Sequence, residues 1–283
     1  MRQQRLPSGL VLPGLAILMS CTLSGVASAG PISGDYHWGR QQPAFSLRVG
    51  DNVDGGWDDL LPHAIADWNK NDTVTLKQVK GSSSPQRCPE TTGIVEVCNW
   101  PYGTQEGWLG LTRLYFDDTG DYIAAATVQL NDSFFDQANG TYNSDAARNH
   151  TICHELGHTM GLDHVDTASC LNPSQTAVFQ NLTPIKQDFR DLARIYARKD
   201  PVTTVKGKQK DPERRKNRKD DKNRHGGQHR HRTATESVRA SSSTSSATGG
   251  LAGPETTYVE QLEDDRRVVT IVTWAKTPAL AAP

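Results

Sequence analysis

Three histidines fall within the eleven residues from His154 to His164, and their spacing constrains the fold more than any other feature of the sequence. His154 and His158 are four residues apart, so on an α-helix they lie on one face and can present their ring nitrogens to one metal ion. Glu155 follows the first histidine, and from there its carboxylate can reach a metal-bound water and accept its proton. The segment predicts a helix that carries two metal ligands and a general base.

A catalytic zinc ion usually has three protein ligands, so two histidines are too few. Gly161 can end the helix with a positive φ angle and turn the chain back, which brings His164 towards the same ion. Zinc would lower the pKa of its water towards roughly 7 and polarise the carbonyl of a peptide bond. We predict one catalytic Zn2+ held by His154, His158 and His164, with Glu155 as the catalytic residue. The sequence does not indicate whether the chain also binds a structural Ca2+.

The patterns on both sides of this segment predict an α+β domain over residues 30–200. The stretch "AFSLRVGDNV" alternates as a strand does, and "WDDLLPHAIADWNK" has the spacing of an amphipathic helix. Four further strand patterns precede the zinc helix, for which Ser144 is the expected N-cap. An apolar stripe in "TPIKQDFRDLARIYARK" predicts a C-terminal helix. We expect a twisted mixed sheet of about five strands, two long helices and this C-terminal helix.

Residues 1–29 are predicted to be a secretory signal, because a basic start, a short apolar run and the small residues "ASA" precede Gly30. No later segment has the roughly 18 to 20 apolar residues that a membrane span needs, so we expect a secreted, extracellular protein without a transmembrane segment. A lipid anchor is the alternative, since "LMSC" ending at Cys21 loosely resembles a lipobox. Only about a dozen residues separate Gly30 from the first strand, and none of them is a cysteine that could block zinc. We therefore expect activity once the chain is exported.

Four cysteines remain after the signal, and an even number in an exported chain indicates disulfides. They are Cys88, Cys98, Cys153 and Cys170. Of the three pairings, we favour Cys88 with Cys98 and Cys153 with Cys170, because each closes a short loop. A zinc ribbon would need tight Cys-x-x-Cys pairs, which the chain lacks.

The charge of the chain is divided between an acidic body and a basic tail. Residues 30–200 hold 13 Lys and Arg against 22 Asp and Glu, a net charge of −9, whereas residues 201–232 hold 12 against 4, a net charge of +8. Residues 201–252 are poor in apolar side chains and predict a disordered, basic and Ser-rich linker. Its basic part, 206–232, is either a solvated linker or a contact to a polyanion such as a wall polymer. Residues 253–283 allow a β-hairpin, although a lone hairpin is marginal in water.

The pattern His-Glu-x-x-His-x-x-Gly-x-x-His resembles the metzincin signature, and the resemblance covers roughly residues 35–200. It is closest to small secreted bacterial peptidases, with the zinc spacing of matrix metalloproteinases. The resemblance implies a zincin-like fold, a zinc endopeptidase activity, and a peptide or protein as substrate. It also implies that "YIAAATVQL" is the edge strand along which an extended peptide is laid. We expect a monomer.

Metzincins place a methionine in a tight turn below the metal, and the matching turn here, "ASCLNPS", has Leu171 in that place. Leucine is apolar and of similar size, so we expect it to support the histidines by packing. A disulfide between Cys153 and Cys170 would tie the zinc helix to this turn. The alternative function is a secreted zinc-binding protein, catalytically weak or inactive, that acts as a binding module. The presence of Glu155 favours the enzyme, because a binding module would not need it.

Overall fold

The computed structural model describes residues 36–42, 44–174, 177–205, 256–262 and 266–275. The predicted signal with Cys21 and the basic segment 206–232 lie outside these ranges. Within them, every helix is too short or too polar to cross a bilayer.

Eight strands in the described ranges form one mixed sheet. They are β1 His37–Trp38, β2 Phe45–Asn52, β3 Val74–Lys80, β4 Ile94–Trp100, β5 Trp108–Phe116, β6 Tyr122–Asn131, β7 Thr256–Gln261 and β8 Arg267–Trp274. The strand order is β3-β2-β4-β6-β5-β8-β7, with β1 paired to β6. The α+β class and the mixed sheet are confirmed, but the expected number of about five strands is too small. One missed strand, β1, has only two residues and is too short to show alternation. The other two, β7 and β8, are stabilised because β8 pairs with β5, and the sequence of the tail does not indicate this pairing.

The expectation that β6 forms the edge of the sheet is wrong. β6 pairs in parallel with β4 on one side and antiparallel with β5 on the other. Most of its side chains are buried, as in a strand covered on both faces. The reason is the turn between β5 and β6, which folds β5 back onto the outer side of β6. In the body of the molecule, β5 is therefore the outermost strand on this side.

Four α-helices accompany the sheet in the described part of the chain. They are α1 Leu60–Trp68, α2 Asp132–Phe135, α3 Asp145–Thr159 and α4 Lys186–Ile195. α3 begins as predicted, because the Ser144 hydroxyl accepts the backbone N–H of Ala147 at 3.2 Å. α4 begins one residue after Ile185, whose N–H donates to the Asp188 carboxylate at 2.7 Å. α3 packs between α1 and β5 and is buried along most of its length.

Two buried tryptophans hold α3 in place. The indole N–H of Trp68, the last residue of α1, donates to the carbonyl of Cys153 at 2.9 Å. The indole N–H of Trp38 in β1 donates to the carbonyl of Thr159 at 2.7 Å. Both indoles are fully buried, so each combines a large apolar contact with one directed hydrogen bond. The middle and the end of α3 are thereby fixed relative to the sheet.

Gly161 ends the helical segment in the way that the sequence predicts. Its φ angle is +88°, in the region that favours glycine. A Cβ atom at this position would lie 2.2 Å from the carbonyl oxygen of Tyr36, so the close approach of the residue before β1 also requires glycine. The chain can turn back after α3 only because residue 161 has no side chain.

Gly161→Ala is expected to lower the free energy of unfolding by about 3 kcal/mol, because it combines a strained φ angle with a backbone clash. Gly103→Ala is the matched control, since Gly103 has a φ angle of +99° but a Cβ atom there would meet no described atom within 4 Å. The control should lose about 1 kcal/mol from conformational strain alone. Urea unfolding with the disulfides intact measures both; equal losses would contradict the role of the Tyr36 contact.

Candidate metal centre

The three histidines predicted as ligands meet at one point. Nε2 of His164 lies 2.9 Å from Nε2 of His154 and 3.2 Å from Nε2 of His158. One ligand atom from each residue lies within 4.8 Å of the others. Two of the rings come from successive turns of α3, and the third comes from the chain after Gly161. The folded chain thus brings together the residues that the spacing singled out.

Backbone carbonyls orient two of these rings. Nδ1 of His154 is 2.8 Å from the carbonyl oxygen of Cys170, and Nδ1 of His158 is 2.9 Å from that of Leu162. A carbonyl oxygen can only accept a hydrogen bond, so each Nδ1 carries the proton and donates it. Each Nε2 of a neutral ring therefore keeps its lone pair. This arrangement of the other ring nitrogen is usual for histidines that bind a metal.

The donor set fits a single metal ion. A tetrahedral ion with bonds of about 2.0–2.1 Å to nitrogen sets two of its ligand atoms about 3.3 Å apart. The observed separations of 2.9 and 3.2 Å are close to this value. The three rings could therefore hold a metal ion, and imidazole ligands suit zinc, copper, nickel and iron.

Burial keeps two of the ligand rings neutral. His154 and His158 are fully buried. Burial, with a further contribution from His164, lowers the pKa of His158 to about 3. Burial and the neighbouring histidines hold the pKa of His154 well below its usual value. A neutral imidazole is the form that binds a metal, so these rings need not lose a proton first.

Glu155 is fully buried, and both of its carboxylate oxygens accept hydrogen bonds. The hydroxyl of Thr112 in β5 donates to Oε2 at 2.6 Å, and the hydroxyl of Thr273 in β8 donates to Oε1 at 2.6 Å. Burial raises the pKa of Glu155 to about 7, against the lowering effect of the two hydroxyls and of His164. The carboxyl group is thus fixed in position by one residue of the body and one residue of the tail.

Gly110 in β5 makes room for this carboxylate. A Cβ atom at Gly110 would lie 2.5 Å from Oε1 of Glu155, so only glycine lets the strand backbone approach it. Gly110, Thr112 and Thr273 are functional residues that the sequence patterns did not single out. A glycine inside a strand pattern is a usable signal for a close approach, whereas nothing in the sequence distinguishes these two threonines from others.

The turn that contains Leu171 packs against α3. Leu171 is fully buried, and a Cβ atom at Gly157 would lie 2.6 Å from its Cδ2 atom. The N–H of Leu171 donates to the hydroxyl of Ser169 at 3.0 Å, and that hydroxyl donates to the carboxylate of Asp188 at 2.7 Å. Leu171 therefore packs directly against the helix between the two ligand-bearing turns.

Two disulfides join described cysteines, with the pairing favoured from the sequence. Cys88 is bonded to Cys98, and Cys153 to Cys170. The second bond joins the residue before the first ligand to the residue before Leu171, so it ties α3 to the turn below it. Disulfides are consistent with an extracellular protein.

The remaining described histidines lie outside the cluster. Nε2 of His37 is 3.1 Å from the carboxylate of Asp200, and His63 is largely exposed beside Asp67. His150 is buried one turn before His154, with Nδ1 2.7 Å from the carbonyl oxygen of Asn181. Burial lowers the pKa of His150 to about 4.

The site combines three histidine ring nitrogens with a buried carboxylate, and the carboxylate and two of the rings belong to α3. Such a set can hold a cation and accept a proton beside it. The functional assignment depends on these residues, since comparisons of the chain with protein-family models, with curated proteins and with solved structures found no match.

Proposed function

We propose that the chain is a secreted zinc-dependent endopeptidase of the metzincin type, with Glu155 as its general base. The observation that carries this proposal is the convergence of three Nε2 atoms next to the residue whose carboxylate can move a proton. Zinc at such a site supplies Lewis-acid chemistry, because it acidifies water and polarises a carbonyl oxygen. The ligands are His154, His158 and His164.

In the proposed reaction, Glu155 accepts a proton from the attacking water and delivers it to the leaving amine. Its carboxylate must hold one position while it does so. The hydroxyl of Thr112, 2.6 Å from Oε2, supports that position from β5. The carbonyls of Cys170 and Leu162 hold the protons on Nδ1 of two ligand rings and leave the Nε2 atoms free to bind.

The substrate is proposed to be an extended peptide segment paired with β5. Gly110 and Thr112, which contact Glu155, both belong to β5, so a peptide on this strand would pass next to the carboxylate. An added strand gains its affinity from main-chain hydrogen bonds, which suits a peptidase that acts on many sequences. This assignment replaces β6 by β5 as the strand that receives the substrate.

We also propose that the chain is secreted and that it is a monomer. The predicted signal over residues 1–29 supports secretion, and the two disulfides are consistent with an oxidising compartment. A contact between residues 206–232 and a polyanion stays a sequence-based prediction.

Glu155→Gln is expected to lower the rate of casein cleavage by about 10²- to 10⁴-fold while zinc stays at about one ion per chain. Glutamine has the shape of glutamate and can still bond to the threonine hydroxyls, but it cannot accept a proton. Elemental analysis of the purified protein and the release of casein fragments give the two readouts. Zinc at one ion per chain without Glu155-dependent cleavage, both in the intact chain and in an Ile271→Asp variant of β8, would favour the non-catalytic binding module.

A further inference from the structure

The C-terminal hairpin, formed by β7 and β8, covers the outer edge of β5. β8 pairs antiparallel with β5 along nearly its whole length, from Trp108 opposite Trp274 to Tyr115 opposite Val268. Without the hairpin, the sheet of the body would end at β5. The backbone groups on that edge are the ones that an incoming extended peptide would use. Since β8 already engages them, β8 and a peptide cannot pair with this edge at the same time.

The hairpin also reaches the general base. The strand register places Thr273 opposite Gly110, the residue that gives Glu155 its room. From there the Thr273 hydroxyl donates to Oε1 of Glu155 at 2.6 Å. Oε2 is already engaged by Thr112, and the Glu155 side chain is fully buried. With β8 in place, Glu155 has no exposed oxygen for a substrate water.

The contacts of the hairpin are apolar on one strand and sparse on the other. Val269 and Ile271 of β8 are buried in the main core, whereas Val259 of β7 is 48% exposed. Arg267 of β8 lies over the ring of Phe116 at 4.2 Å, and Arg266 pairs with Glu90 at 3.3 Å. The hairpin is therefore attached mainly through β8 and the adjoining Arg266.

We propose that the C-terminal hairpin is a built-in inhibitor of the peptidase, in which β8 occupies the substrate strand position and Thr273 blocks Glu155. This inference rests on the proposed function, since it assigns the regulation of the same site. The hairpin must leave β5 before a substrate can pair with the strand. The chain is then latent through its tail, in contrast to the sequence-based expectation that it is active once exported.

A covalently joined inhibitor needs only modest contacts to stay in place. The hairpin is connected to the body through residues 206–255, so its docking is intramolecular and is favoured by a high effective concentration. A substrate competes with it for the same backbone groups. Release of the hairpin should therefore change access to the metal centre without changing the ligands.

The test uses the full chain with a substitution in β8. Ile271→Asp places a charge in the apolar contact between β8 and the core, where an unpaired charge is costly, so the hairpin should undock. Ile271→Val is the matched control, because it keeps the strand apolar and docked. Zinc-loaded wild type and both variants are compared for their affinity for a dipeptide hydroxamate, a zinc-binding probe, and for casein cleavage. The Asp variant should bind the probe at least about tenfold more tightly and cleave faster by a similar factor.

The outcomes separate this inference from the proposed function. Equal probe affinity and equal Glu155-dependent cleavage in all three proteins would overturn the proposal that the hairpin is an inhibitor, but would leave the proposed peptidase activity intact. Tighter probe binding by the Asp variant without casein cleavage would support the covering of the site by the hairpin and overturn the peptidase. Tighter binding together with cleavage that Glu155→Gln abolishes supports both.

A measurement on the unaltered chain does not depend on how the variants fold. With the hydroxamate at a concentration that saturates the zinc of the wild type, hydrogen exchange of the β8 amides should accelerate, because probe and hairpin compete for the same edge. The amides of β4, which does not pair with β8, serve as the internal control. Unchanged exchange of β8 with the probe bound would overturn the proposal.

Discussion

His158→Ala is expected to lower the affinity for zinc by a hundredfold or more and to remove Glu155-dependent hydrolysis. Loss of a single residue that merely orients a metal ligand already costs about 10- to 100-fold in metal affinity, and here a ligand itself is lost. His158 is fully buried, and its Nε2 atom is 3.2 Å from that of His164. No other described histidine lies close enough to replace it in the cluster. The site would be left with two ligands, which is too few for a catalytic zinc ion.

His150→Gln is the matched control for this substitution. His150 lies on the same helix, is buried, and has its ring 5.6 Å from that of His154, but it does not belong to the ligand cluster. We expect this variant to keep one zinc ion per chain with nearly unchanged affinity. Chelator competition and native mass spectrometry measure both proteins. Zinc retained by the His158 variant, or lost from the His150 variant, would contradict the assignment of the ligands.

The histidine cluster could be predicted because its determinants are local. The positions of His154, Glu155 and His158 on one helix follow from helical geometry. The return of His164 follows from the positive φ angle that Gly161 adopts. All of these relations span fewer than a dozen residues, so the sequence pattern alone contains them.

The covering of the site could not be predicted in the same way. Thr273 contacts Glu155 across 118 positions of the chain, and no pattern in either segment encodes that pairing. The run of β-branched residues in β8 permits a strand but does not specify its partner, and a hairpin judged alone is marginal in water. The position of β5 at the edge of the sheet of the body depends on the side of β6 with which it pairs, and the sequence does not specify that side. These features come from the assembly of the sheet, where several strand orders satisfy the same local patterns.

Removal of the Cys153–Cys170 disulfide by a double substitution to alanine is expected to have two effects. The free energy of unfolding should fall by about 3 kcal/mol, since the bond closes a short loop in the unfolded chain. Zinc affinity should also fall by about tenfold, because the carbonyl of Cys170 accepts the hydrogen bond from Nδ1 of His154 at 2.8 Å and fixes that ligand. Without the bond, the turn that contains Cys170 and Leu171 is held against α3 only by packing and hydrogen bonds.

The Cys88–Cys98 disulfide provides the comparison. It closes a loop of 10 positions against 17 for the other bond, so loop closure gives it a nearly equal contribution of about 3 kcal/mol. It lies between β4 and the loop before it, and none of its atoms contacts a ligand histidine within the described hydrogen bonds. The double alanine variant of this pair should therefore lose similar stability in urea unfolding but keep its zinc affinity. If both pairs weakened zinc binding equally, the effect would follow general stability; a loss confined to the Cys153–Cys170 pair would show that this disulfide positions His154.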